Sequence, residues 1–235
     1  MKIANSVVCS ESCLFVYQLK NIFKYSWCLM QPFSLLTKVK IFNQDIHLLP
    51  SLGKVKIGNQ EWLTENLNVD HFRNGDIIPE AKSDEDWGKA GDLRQPAWCY
   101  YDNNPENGKS YGKLYNWNAV NDPRGLAPKG WHIPSEKEFR ILIEKLTKDG
   151  NALKDVNQGS GNGLGTNKSG FSALLAGYRH YHGWFIDLGD RTNFWSSTEN
   201  RPHYATNLTL IEWDGYISLF SDHVRFGYSV RCIRD

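Results

Sequence analysis

The rhythm of hydrophobic and polar positions changes near Lys54. Residues 1–53 contain few Gly and no sustained period, with only a weak helical run from Leu14 to Leu36. After Lys54, short apolar alternations are interrupted at close intervals by Gly, Asn, Asp and Pro. Val55, Ile57 and the stretch Gln60–Leu63 predict two strand arms around a Gly58-Asn59 hairpin turn. Asn74-Gly75 predicts a second turn, and Asp84–Gly91 an acidic loop or short helix around Trp87. Tyr111–Val120 puts Tyr111, Leu114, Tyr115 and Asn118 on one helical face and stops at Asn121-Asp122-Pro123. A second helix is marked more fully. Ser135 and Glu138 form a capping box after Pro134, and Phe139, Leu142, Ile143 and Leu146 supply the apolar stripe. Lys145 and Lys148 suit the negative end of the helix dipole, and Gly150 the position after the cap.

Gln158–Gly170 is Gly, Asn, Ser and Thr without a period, which predicts a long loop. Six strand candidates follow: Ala173–Tyr178, Phe185–Leu188, Asn193–Ser197, Tyr204–Trp213, Tyr216–Phe220 and Tyr228–Ile233. Asp214-Gly215 predicts a two-residue turn making an antiparallel ribbon of the fourth and fifth. The order of strand, two helices, long loop and strands predicts an α+β domain over residues 54–235. Residues 1–53 are then an atypical extension. An upstream frame or an early start codon joined to the domain accounts for it, and a short helical extension is the alternative.

Composition narrows the class. The chain has 235 residues, 40% apolar and 23% charged, as expected of one ordinary domain with a sizeable core. A formal charge of +1 without a basic cluster argues against nucleic acid and anionic membrane surfaces as partners. No apolar run reaches about 18 residues, so no membrane insertion is expected, and no signal peptide is visible because Glu11 interrupts the segment where an apolar region should run. Nine Trp and eleven Tyr suit a core, and equally a protein interface or a sugar-stacking face. Cys99 and Cys232 are a candidate disulfide that would disfavour the unfolded chain by about 3–5 kcal/mol, or else two buried thiols; Cys9, Cys13 and Cys28 fall in the extension.

Several runs together resemble a known family. They are V-K-I-G-N-Q-E-W-L-T-E-N-L from Val55, Y-G-K-L-Y-N-W-N-A-V from Tyr111, L-A-P-K-G-W-H-I-P-S from Leu126, F-W-S-S-T-E from Phe194 and G-Y-S-V-R-C-I-R-D from Gly227. In this order they resemble the Fibrobacter succinogenes major paralogous domain. The resemblance implies a C-type-lectin-like fold with two helices and a small antiparallel sheet closed by paired N- and C-terminal strands. It also implies kinship with formylglycine-generating and retroelement-target domains, a secreted or surface-attached bacterial setting often reached as a lipoprotein, and no established catalysis. The family's D-x-D-G-N-x-Y approach to its first motif is replaced here by residues 43–53.

In related folds the ligand face comes from loops near the last strands. These map to Tyr178–Trp184, Asn200–Tyr204 and Glu212–Arg225, giving Tyr178, Arg179, Tyr181, Trp184, Arg201, Tyr204, Trp213, Tyr216 and Asp222 as binding candidates. His180, His182, His203 and His223 accompany them without zinc-type spacing. This Tyr, Trp, Arg and His mixture is typical of interface hot spots and also of ordinary loops with inward-turned aromatics. The lectin calcium triplets are missing. Asp102, Asn104 and Glu106 are a weak calcium candidate within a segment that reads better as an Asx turn, so no cofactor is expected. A formylglycine-generating-like oxidase would need a reactive Cys99 and Cys232, and Ser196-Ser197 lacks the context of a hydrolase nucleophile. The expectation is a non-catalytic surface domain recognising a glycan or a cell-surface protein. A structural spacer in a bacterial surface assembly and the oxidase are the alternatives.

Overall fold

A computed structural model describes residues 53–235, so the Leu14–Leu36 run and Cys9, Cys13 and Cys28 lie outside the described residues. β1 (Lys54–Ile57) and β2 (Gln60–Leu63) fold back on each other through the Gly58-Asn59 turn, with Ile57 opposite Gln60. Gly58 alone of the two has a positive φ, 61°, which is the signature of a type II′ turn. α1 (Asp84–Asp92) carries a capping box from Ser83 and Asp86, with three acidic residues in its first turn.

The predicted helix over Tyr111–Val120 is three elements. α2 (Pro105–Tyr111) is capped by Asn104, β4 (Leu114–Tyr115) pairs with β3 (Trp98–Cys99), and α3 (Trp117–Val120) is capped by Asn116. Gly112 breaks the helix. Its φ is +72°, and a Cβ there would lie 2.9 Å from the Leu67 carbonyl oxygen, so the chain must turn where the apolar period would have continued. The Asn116 amide oxygen then accepts from the backbone N–H of both Ala119 and Ala97, at 3.0 Å each, which starts α3 and fastens it to the preceding segment.

α4 (Glu136–Lys145) forms as its cap and stripe predict, with Phe139 and Leu142 buried. It ends at Leu146, four residues before the expected Gly150. Thr147 and Lys148 take the left-handed turn, at φ 52° and 66°, while Gly150 begins a short 3₁₀ turn. The described residues therefore hold four short helices, not two.

Three sheets share the core. β1, β2, β11 (Ile233–Arg234) and β5 (Trp131–His132) make one, in the order β1-β2-β11-β5. The larger has the order β10-β9-β8-β6-β7, from β6 (Ala176–Arg179), β7 (Phe185–Leu188), β8 (Arg191–Arg201), β9 (Tyr204–Ile211) and β10 (Ser218–His223). Its ladders are antiparallel except the bridge of Gly177 to Thr192, which is parallel, so the single small antiparallel sheet expected becomes a mixed assembly. Ile233 lies between Trp62 of β2 and His132 of β5, so the last strand pairs with the second arm of the opening hairpin. Trp62 stacks on Phe139 at 5.7 Å and meets Phe171 edge-on, joining this small sheet to α4.

The ribbon of β9 and β10 forms, but without a two-residue Asp214-Gly215 turn: Thr209 faces Ser218, and neither Asp214 nor Gly215 has a positive φ. The reason is distant in sequence. The ammonium of Lys154, fully buried, donates to the carbonyls of Gly163, Ile211 (2.7 Å) and Asp214 (2.9 Å), and Gly150 N–H donates to Gly215 O. The hairpin tip is thereby widened and held against the Gln158–Gly170 loop.

Arg231, also buried, donates to the carbonyls of Leu63 and Phe171 and to Asn66 Oδ1 (2.7 Å from Nη2). Arg231→Met should cost roughly 2–6 kcal/mol, because it strands two buried carbonyls. A urea midpoint equal to that of the wild type would show that these bonds do not hold the fold. His132 bonds Glu138 (2.8 Å) and Asp235 (2.9 Å). Burial alone would lower its pKa, but the two carboxylates outweigh that and raise it above 6.5. A raised histidine stabilises the fold fully below the unfolded pKa and ceases to as pH climbs through the folded one. Stability should therefore fall as pH climbs above about 6.5, where carboxylates do not titrate, and His132→Gln should flatten that slope in denaturant titrations.

Candidate functional site

The loop between β6 and β7 is a tight reversal in which His180 N–H donates to Trp184 O and Gly183 N–H to His180 O, both at 2.8 Å. Arg179 fixes its base. That guanidinium is fully buried and donates to the carbonyls of Gly183 (2.7 Å), Ala81 (2.6 Å) and Ser83 (2.8 Å). Held this way, the loop presents His180 stacked on Trp184, with planes 5° apart and centroids 4.5 Å apart, and Tyr181 beside them.

The end of the β9–β10 ribbon comes up against this loop. His223 faces Tyr204 across the ladder, and Asp222 faces Ala205. Tyr181 meets Phe226 edge-on at 5.4 Å, and His223 lies 5.4 Å from the Tyr204 ring and 6.3 Å from Tyr181. Together Tyr181, Tyr204, Asp222, His223, Arg225 and Phe226 line a depression of about 460 Å³. His203, His223, Val224 and Arg225 carry the surface on into neighbouring hollows of about 220 and 520 Å³ that reach Arg94 and Arg201.

Asp222 is the polar anchor of the depression. Its Oδ2 accepts from Asn207 Nδ2 (2.8 Å) and from the Tyr228 hydroxyl (2.9 Å), which leaves Oδ1 without a protein partner among the described residues. Burial, and then the Asp222 charge, push the Tyr228 phenol well above 10, so it stays a donor. Burial also lowers the pKa of His180 and of His223, with His182 adding to the first and Arg225 and His203 to the second. Both rings are neutral at pH 7. Arg201 lies over the Tyr204 ring at 3.9 Å, and Arg225 is paired with Asp92 at 2.6 Å.

The sequence-predicted residues divide. Tyr181, Tyr204 and Asp222 line the depression, Arg201 lies on its rim, and Trp184 stands next to it through His180. Tyr178 lies half-buried beneath, against Tyr228 and Phe226. Arg179 is not a surface residue, because its donors are used on loop carbonyls. Trp213 and Tyr216 are 56% and 69% exposed but belong to the opposite end of the ribbon. Eight residues of β9 set the two ends roughly 23 Å apart at about 3.3 Å per residue. Phe226, Asn207 and Tyr228 are absent from the predicted set. The alternation of Phe226 and Tyr228 could have placed both on one face, had the closing strand been read two residues earlier.

Other candidates have local roles. Asn104 Oδ1 accepts from Glu106 N–H, Glu106 pairs with Lys109 at 2.7 Å, and Asp102 takes a left-handed φ of 54°, as in an Asx-rich turn. Among the described residues, no three His, Cys, Asp or Glu side chains are grouped to hold a metal, and no helix is long and apolar enough to cross a membrane. Cys99 and Cys232 are not bridged. Both are buried free thiols in different core clusters, which corrects the disulfide candidate, and burial pushes each up to about 12.

The chain gives no significant match to any curated protein or to any solved structure. The profile of the Fibrobacter succinogenes major domain matches residues 55–234, from the first arm of the opening hairpin to the closing strand. With so much of the chain covered, and with the last matched strand paired in space to the second arm of the opening hairpin, the protein belongs to the Fibrobacter succinogenes major domain family.

Proposed function

We propose that residues 54–235 are a non-catalytic recognition domain of C-type-lectin-like fold, working outside a bacterial cell or on its surface, that binds a glycan in the depression around Tyr181, Tyr204 and Asp222. The observation that carries this reading is the carboxylate. One oxygen of Asp222 is held by Asn207 and Tyr228, and the other has no protein partner among the described residues, in a residue that lines an aromatic-walled hollow. Sugar rings have an apolar face that stacks on Tyr or Phe and hydroxyls that donate to a fixed carboxylate, with charge-assisted bonds stronger than neutral ones. A hollow of this kind, apolar with a few placed polar groups, is the usual form of a small-ligand site.

The pairing of the last strand with the opening hairpin, and the loops gathered at one end of the larger sheet, support the lectin-like comparison. A protein ligand is the second reading, favoured by Arg201 stacked on Tyr204 at the rim, since Tyr and Arg dominate interface hot spots. The oxidase reading has less behind it. A nucleophilic or redox thiol must reach the thiolate state, and burial holds both Cys99 and Cys232 near 12.

On a glycan array, the chain should bind at least one saccharide. Tyr181→Ala and Asp222→Asn should each weaken that binding about tenfold or more with unchanged melting. Trp213→Ala, at the far end of the ribbon, should leave it intact. If no saccharide rises above background, or Tyr181→Ala binds as the wild type does, the glycan reading fails and the spacer role gains.

A further inference from the structure

On another part of the surface, a polar cleft of about 350 Å³ opens between the β2–α2 region and the segment after Lys154. Its lining includes Glu65, Asn68, Ser110, Asp155, Ser172 and Arg231. Arg231 is the unusual member. It is 1% exposed, yet it is among the residues that line the cleft. A guanidinium carries five N–H donors. Nε and Nη2 each spend one on Asn66 Oδ1, and Nη1 spends two on Leu63 O and Phe171 O. The remaining Nη2 hydrogen has no acceptor among the described residues.

Buried cations are ordinarily compensated by a carboxylate in contact. Here no described carboxylate oxygen lies within 4.0 Å of the guanidinium. Burial draws the Arg231 pKa down to about 9, and the carboxylates of Glu65 and Asp155 are near enough to oppose that shift. Neither makes an ion pair or a side-chain hydrogen bond among the described residues. The cleft thus holds a guanidinium donor and two free carboxylates with a gap between the unlike charges.

We propose that this cleft binds a small zwitterion with an α-amino-carboxylate head, its carboxylate accepting from Arg231 Nη2 and its ammonium donating to Glu65 and Asp155. A simple anion would meet two carboxylates, and a simple cation would leave the guanidinium unserved. A ligand carrying both charges about one carbon apart answers both ends. The volume is at the small end of the roughly 300–1,000 Å³ range of small-molecule sites, which suits a free amino acid. The cleft shares no lining residue with the Tyr181 depression and stands independently of the glycan reading.

The test is isothermal calorimetry on the full chain with the standard free α-amino acids, each at millimolar concentration. At least one should bind, and its N-acetyl and methyl-ester derivatives should each bind about tenfold or more weakly, because each lacks one charge. The Glu65→Gln/Asp155→Asn double variant, whose side chains are not tied into the fold, should melt as the wild type does and lose about tenfold or more in affinity. Tyr181→Ala should leave the affinity unchanged, which separates this site from the glycan depression. No binding by any amino acid, equal binding of the blocked derivatives, or undiminished affinity in the double variant would each overturn the proposal.

Discussion

A fold built mainly from short strands and long irregular segments must satisfy many buried carbonyls without long ladders to do it. The solution here is cationic. The charged side chains buried among the described residues are Lys113, Lys154, Arg179 and Arg231, with no carboxylate among them. Each donates to backbone carbonyls: Lys113 to Asn68, Lys154 to Gly163, Ile211 and Asp214, Arg179 to Ala81, Ser83 and Gly183, and Arg231 to Leu63 and Phe171. One ammonium or guanidinium serves several acceptors at once and spans segments far apart in sequence. Charge-assisted bonds of this kind are about twice as strong as neutral ones, and removing the cation leaves the carbonyls orphaned.

The closing segment depends on the same arrangement. Gly227 exchanges two hydrogen bonds with Arg179 of β6, Tyr228 pairs with Tyr115 of β4, and Ser229 O accepts from Trp195 of β8. Val230 O accepts from Leu67, Cys232 O from Leu63, and Ile233 enters the first sheet. A single run of the chain therefore touches every sheet, and Arg231 in its middle ties the run to Leu63 and Phe171. The small core clusters, which would be weak alone, become one cooperative unit because this strand cannot leave one sheet without leaving the others.

How much of this was legible in the sequence follows from how local each cause is. The helix after Ser135 was readable because its cap and apolar stripe lie within twelve residues of one another. The Tyr111–Val120 period misled because Gly112 had to clear the Leu67 carbonyl, a tertiary contact with no mark in the period itself. The β9–β10 ribbon was readable from its alternation, whereas its tip was not, since Lys154 decides the path of Asp214 from sixty residues away. At the candidate site, Tyr181, Tyr204 and Asp222 were nameable from residue type, and the resemblance supplied the loops. Nothing in residue type distinguished Arg179, consumed inside the fold, from Arg201 on the rim.

The two ends of the β9–β10 ribbon show why exposure of aromatics alone is a poor guide to binding. At the Trp213 end, the polar groups are spent on the fold: Lys154 holds Asp214 O, and Gly150 and Ser160 donate to Gly215 and Glu212 carbonyls. The aromatics there stand outward, and the carboxylate beside them, Asp214, is turned to accept from the Tyr216 backbone N–H at 3.1 Å. At the Tyr204 end, the interior sends a polar group outward. Asn207 and Tyr228 are buried, and both point their donors at one oxygen of Asp222. Orienting a carboxylate in advance removes the entropy a ligand would otherwise have to supply, and neighbouring rings lower the local dielectric in which it acts. The same strand is thus anchored at one end and presents a prepared acceptor at the other, with the aromatics decisive only where that acceptor stands.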